Sequence, residues 1–165
     1  MTSSLARWLA VGLASAGAGA LLLMAARTTH PPAATVTVSV GSARVVAELA
    51  VTPEEHTRGL SGRKSLAEGY GMLFVFRQPA RPAFWMQGMQ FPLDLIWIAN
   101  GRVSEITAAV PVPVPDTPPP QYVPDAQAAA VLEVPAGFAQ RHGVKIGSTA
   151  TWYGSGFSDD PRGPK

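Results

Sequence analysis

Leu93-Asp-Leu-Ile-Trp-Ile-Ala99 and Arg102-Val-Ser-Glu-Ile-Thr-Ala-Ala109, joined by Asn100-Gly101, form the stretch that decides the fold of this chain. Asn-Gly between two apolar runs is among the strongest hairpin signals, because both residues of a two-residue type I′ turn need positive φ. Two antiparallel strands are therefore expected here. Upstream, Thr35-Val-Thr-Val-Ser-Val40 alternates with period two, Gly41-Ser42 reads as a turn, and Ala43–Ala50 reads as a second strand. Further strands are expected over Met72–Phe76, Ala83–Gln87, Ala128–Val134 and Ser148–Tyr153, with a loop over Arg77–Pro82.

Helical signals are short. Thr52-Pro53-Glu54-Glu55 offers a capping residue, a proline at the first helical position and a glutamate that completes a capping box. Ser65–Glu68 reads as one further turn, and Pro135–His142 as a short helix closed by Gly143. Pro111–Pro124 holds seven prolines in fourteen residues, which suits an extended loop and not a central strand. The expected fold class is mostly β (α+β): a small barrel or sandwich-like domain of short strands with one or two short helices.

Three segments follow: residues 1–34, a hydrophobic anchor or signal segment with a Pro-containing tether; residues 35–153, the globular domain; and residues 154–165, a flexible tail. Trp8–Ala26 is uncharged, and as a helix it would reach roughly 28 Å, close to the thickness of a bilayer core. Sites for signal cleavage after Leu23 are poor, because Met24 or Pro32 would stand at the −3 position. An uncleaved anchor is favoured, with the domain outside the cytoplasm; a cleaved leader would make the domain exported or periplasmic. Ala10, Ala14 and Ala18 give a small-residue spacing compatible with helix pairing.

The sequence pI of about 9.3 suggests nucleic acid, but the charge count opposes it. Without Arg7 and Arg27, beside the hydrophobic run, 11 basic residues face 11 acidic ones. A nucleic-acid binder concentrates its Lys and Arg on one face. The chain has no cysteine, so disulfides, thiolate metal sites and a cysteine nucleophile are excluded.

Several pieces occur in a specific order: Glu48-Leu-Ala-Val-Thr-Pro-Glu-Glu55, Arg58-Gly59-Leu60, Gly71-Met-Leu-Phe-Val-Phe76, Phe84-Trp85-Met86, Pro92-Leu93-Asp94, Val131-Leu-Glu-Val134 and Gly143-Val-Lys-Ile-Gly147. Over residues 44–153 the chain resembles the domain-of-unknown-function-192 family. The resemblance implies a compact β-rich domain, often carried behind a signal or anchor, and implies no particular activity. Where relatives follow the Phe-Trp-Met triplet with Lys-Asn-Thr, this chain has Gln87-Gly88-Met89.

Candidate chemistry is sparse. Ser61 lies in Gly59-Leu-Ser-Gly62, one residue short of a nucleophile elbow, with His56 and Asp94 as conceivable partners. His30, His56 and His142 lack metal-ligand spacing, so no metal or other cofactor is expected. Glu54-Glu55 belongs to a helix start, where negative charge is stabilising. Asp94 is the more informative acid, since an ionised Asp between Leu93 and Leu95 must be paired or hydrogen-bonded. It either accepts backbone N–H groups, or pairs with Arg58 or Arg81, or contacts a ligand at a barrel mouth. Phe84, Trp85, Met86, Met89, Phe91 and Trp97 form an apolar cluster nearby, either core or a groove for a small molecule, a glycan or a protein.

The first expectation is a membrane-held or exported, non-enzymatic binding module using Trp85, Met86, Asp94, Arg58 and Arg81. It would have no nucleic-acid partner and would meet the membrane through residues 8–26. One alternative is an envelope hydrolase with Asp94 as acid or base. Another is a structural partner in a membrane complex.

Overall fold

In a computed structural model, the structure describes residues 34–154. The expected anchor over residues 8–26, the cleavage sites and the tail from residue 155 lie outside the described residues. No helix among the described residues is long and apolar enough to cross a membrane.

Seven strands and two short helices run in the order β1 (Thr35–Val40), β2 (Ala43–Ala50), α1 (Pro53–Arg58), β3 (Tyr70–Ala80), β4 (Leu93–Ala99), β5 (Arg102–Val110), β6 (Ala128–Pro135), α2 (Phe138–Arg141) and β7 (Ala150–Tyr153). They build one sheet in the order β5-β4-β6-β3-β2-β1-β7. Every neighbouring pair is antiparallel except β2 and β3, which are parallel. Parallel neighbours require a crossover, and α1 with the loop to Tyr70 supplies it. The sheet curls into a half-barrel. Its two ends meet where Val103 N–H donates to Ser148 O and Gly147 N–H donates to Val103 O, both at 2.8 Å.

Local sequence explains these elements. Asn100 and Gly101 have φ of 52° and 69°, the two positive values that a type I′ turn needs. Thr52 Oγ1 accepts from Glu55 N–H at 3.2 Å, and Glu55 Oε2 accepts from Thr52 N–H at 3.0 Å, completing the expected capping box. β3 runs beyond the expected Phe76, but its pairing with β6 is irregular between Val75 and Ala80, where Pro79 cannot donate to a ladder.

One expected strand is corrected. Ala83–Gln87 is not a strand; it makes a single bridge, with Phe84 and Tyr122 exchanging backbone hydrogen bonds at 2.9 and 2.8 Å. Tyr122 stands between Pro120 and Pro124, and Pro82 precedes Ala83, so donors are missing on either side and the ladder cannot extend.

The sheet buries both faces, so β4 and β6 read as nearly continuous apolar runs. Leu73, Val75, Ile96, Ile98, Leu132 and Val134 pack inside the curl with Phe138 of α2. Met72, Phe74, Leu95, Trp97 and Val131 face the other way, covered by Leu60 from the crossover and by Met86 and Met89. This second face carries the candidate site.

Candidate functional site

Two acids are buried in the described domain, Asp94 and Glu133. Asp94, on β4, is 0% exposed. Its Oδ1 accepts from Ala109 N–H at 2.8 Å and Gly137 N–H at 3.0 Å, and its Oδ2 accepts from Ala139 N–H at 2.9 Å. Two of those donors open α2, whose own N-cap, Gly137, has no side chain to offer. Asp94 therefore caps α2 from a strand and ties in the end of β5. Ala109 is held at a φ of 51°, in the left-handed region, with its N–H on this carboxylate. Neither Arg58 nor Arg81 pairs with Asp94 among the described residues. Of the readings open for this acid, the structure gives the backbone-accepting one.

Glu133, on β6, lies opposite Met72 of β3 and Leu95 of β4. That register puts its side chain on the covered second face, with Val131. It is 5% exposed, and its Oε2 has no hydrogen-bond partner among the described residues. Burial pushes its carboxyl up to about 8, so the group is mostly neutral at pH 7.

Glu133 lines a cavity of about 160 Å³ between the crossover and the 82–89 segment. Cavities of this size hold a benzene-sized ring. Phe74 and Phe84 form apolar walls, packed edge to face with centroids 4.9 Å apart. Trp85, at 43% exposed, stands at the rim with Arg58 and Ser61. His56 also lines the cavity; its ring packs tilted against Phe74 and edge to face with Phe76, and its Nε2 lies 3.0 Å from Ala50 O.

Local backbone geometry brings these groups together. The α1 cap fixes where the helix starts, and Gly59 ends it at a φ of 48°, turning the chain so that Leu60 is buried while Arg58 stays at the surface. A Cβ on Gly59 would come within 3.4 Å of the Phe74 ring. Across the cavity, Gly62 N–H donates to Gly88 O at 2.9 Å and Ser61 Oγ donates to Gln87 O at 2.7 Å. A Cβ on Gly88 would approach Ser61 Cβ to 3.3 Å, so this glycine serves the fit of two loops of the chain itself.

The residues grouped from the sequence thus separate. Arg58 and Trp85 line the cavity, and Phe84 and Met89 of the apolar cluster join them. Met86 is buried in the core beneath. Arg81 donates from Nε to Pro124 O at 2.8 Å, pinning the proline-rich loop. Asp94 is in its own nest. The serine triad does not form, because the Ser61 hydroxyl and the His56 ring are each engaged by a backbone carbonyl and Asp94 by backbone N–H groups. His142 lies 2.8 Å from Glu68, which Arg141 also holds; the Arg141 hydrogen bond, first, and that of His142 keep the Glu68 carboxyl below its ordinary range.

Glu133 escaped the sequence reading as a site residue. Its signal was the one that drew notice to Asp94: an acid inside an apolar run, here Ala128–Val134.

Comparisons with other proteins agree with this architecture. The model of the family DUF192, described as an uncharacterized ACR, matches residues 35–152. A crystal structure of a protein of unknown function from Novosphingobium aromaticivorans is 36% identical, covers 72% of this chain and 84% of its own, and superposes with a TM-score of 0.62. A crystal structure from Sinorhizobium meliloti, described as a candidate transcription regulator, is 28% identical, covers 74% and 98%, and gives a TM-score of 0.66. No protein of curated function matches significantly. Four of the stretches that carry the family resemblance, around Arg58, Phe74, Phe84-Trp85 and Glu133, contribute to the one cavity.

Proposed function

The chain belongs to the DUF192 family, and from that premise we propose that this member is a binding module, held at a membrane by residues 8–26 or exported, that takes a small ligand in the Glu133 cavity. One observation carries the reading: a nine-tenths buried carboxyl with an unpartnered oxygen lines a ring-sized cavity that has an indole and a guanidinium at its rim. Leaving such an oxygen unsatisfied costs about 1–3 kcal/mol, and a leucine in its place would be the cheaper filling of the same space. A ligand that hydrogen-bonds the carboxyl offsets that cost. Trp85 supplies a flat apolar surface at small cost in side-chain entropy.

The test is a titration of ring-sized fragments into the full chain in detergent micelles, followed by the Trp85 indole and the Arg58–Ser61 amide signals in NMR. Fragments that bind shift these signals together, and Trp85→Ala abolishes the binding while leaving the melting temperature within a few degrees. A library that leaves the signals in place would defeat the proposal.

A further inference from the structure

The polar groups of the cavity are unequal in kind, and this restricts what fits. The Ser61 hydroxyl already donates to Gln87 O, the backbone N–H groups of Gly59 and Ser61 donate to Glu55 O and Arg58 O, and that of Gly62 donates across to Gly88 O. Arg58 makes no ion pair among the described residues, although its charge is felt by Glu48 and Glu55. The cavity lining holds one guanidinium, that of Arg58 at the rim, and one carboxyl, that of Glu133. The rings of Phe74, Phe84 and Trp85 line the same cavity.

We infer that the cavity selects a ring-bearing carboxylate with a neutral oxygen on the far side of its ring: the carboxylate pairs with Arg58, the ring lies among Phe84, Phe74 and Trp85, and the far oxygen accepts from the Glu133 O–H. The inference rests on the binding role proposed above and adds the class of ligand. Guanidinium matches carboxylate in geometry and charge. A carboxyl in its acid form offers one donor to a neutral acceptor, whereas the ionised form offers none and would repel electron-rich oxygen. The titratable or charged groups facing Glu133 are few. His56 and Arg58 come from the crossover; Met72 of β3, Leu95 of β4 and the residues beyond them on the same face carry no charge until Glu48 of β2. Glu48 is held by Arg63 through two hydrogen bonds of 2.5 and 2.6 Å. None of these groups offers Glu133 an ion pair, so its protonation governs the inner end of the cavity.

The opposite assignment is a cation site, in which an ammonium ligand ionises Glu133 among aromatic faces. The two differ in sign with pH. Four probes separate them: 4-acetylbenzoate, whose ketone oxygen can only accept, benzoate, 4-acetylbenzyl alcohol and benzylamine, each titrated into the full chain in neutral detergent micelles. The expected result is that 4-acetylbenzoate binds tightest and loses about tenfold in affinity without its carboxylate or in Arg58→Gln. Above pH 8 its affinity falls about tenfold per unit as the acid form is depleted, and Glu133→Gln binds with no such fall. Tightest binding by benzylamine, or affinity that rises above pH 8, would overturn the ligand class while leaving the binding role intact. Silence from every probe and every library fragment would remove both.

Discussion

The two buried acids teach opposite lessons. Asp94 and Glu133 sit on neighbouring strands, β4 and β6, each inside an apolar run and each buried. Asp94 is surrounded by backbone donors at 2.8–3.0 Å, from the end of β5 and the start of α2. Glu133 has an oxygen with no donor among the described residues and a cavity beside it. A buried carboxylate that accepts three N–H groups is part of the frame. A buried carboxyl with an unpartnered oxygen weakens the frame, and a ligand is the partner proposed for it.

The sharpest way to break this contrast is to delete each acid. Asp94→Ala leaves three backbone donors without an acceptor and frees the N-terminus of α2, so urea unfolding should show a loss of about 4 kcal/mol. A loss below about 1 kcal/mol would mean that water replaces the carboxylate, and Asp94 would no longer count as frame.

Glu133 should act in the other direction, through pH. Its folded-state value lies above the ordinary 4.5, so the folded protein binds more protons than the unfolded chain between about pH 4.5 and 8. The contribution is fully present below pH 4.5 and is lost as the pH rises toward 8. It lowers stability by up to about 3 kcal/mol between pH 4.5 and 7. Glu133→Leu should flatten that slope and be more stable than the wild type by about 2 kcal/mol at pH 7. Urea midpoints at pH 5 and pH 7 check both statements, and a flat wild-type profile would show a solvated carboxyl. Below pH 4.5 the trend reverses. Glu48, lowered chiefly by its Arg63 hydrogen bond, and Glu55, lowered by the Val51 and Thr52 N–H groups, lose their stabilising contributions as they protonate.

Smaller effects sharpen the boundary between frame and site. Thr52→Ala removes the side-chain half of the capping box and should cost about 1 kcal/mol in thermal or urea unfolding. Because α1 carries Arg58 to the rim, the same variant should also weaken any ligand that pairs with that guanidinium. Trp85→Ala should change stability least, by under about 1 kcal/mol in the same assay, because the indole is largely at the surface.

Much of the fold was legible along the chain because its signals are local. The period-two run at Thr35–Val40, the paired positive φ at Asn100-Gly101 and the Thr52–Glu55 box each depend on residues within a few positions of one another. The misread Ala83–Gln87 segment has strand composition, but its only partner is the proline-rich loop nearly forty residues later, which can sustain one bridge and no more. The site was legible in half: Arg58 and Trp85 stood out, and Glu133 did not.

The sequence alone determined that short alternating segments, one tight hairpin and two brief helices make a mostly β domain, because hydrophobic period and turn chemistry are read over a handful of residues. Tertiary structure alone decided that β2 and β3 run parallel, that the sheet curls until Val103 meets Ser148, and that one buried acid is satisfied while the other is not. The donors that quiet Asp94 lie 15, 43 and 45 residues away along the chain. No local pattern records whether such distant N–H groups will arrive, and their arrival at Asp94 but not at Glu133 Oε2 is what distinguishes the two acids.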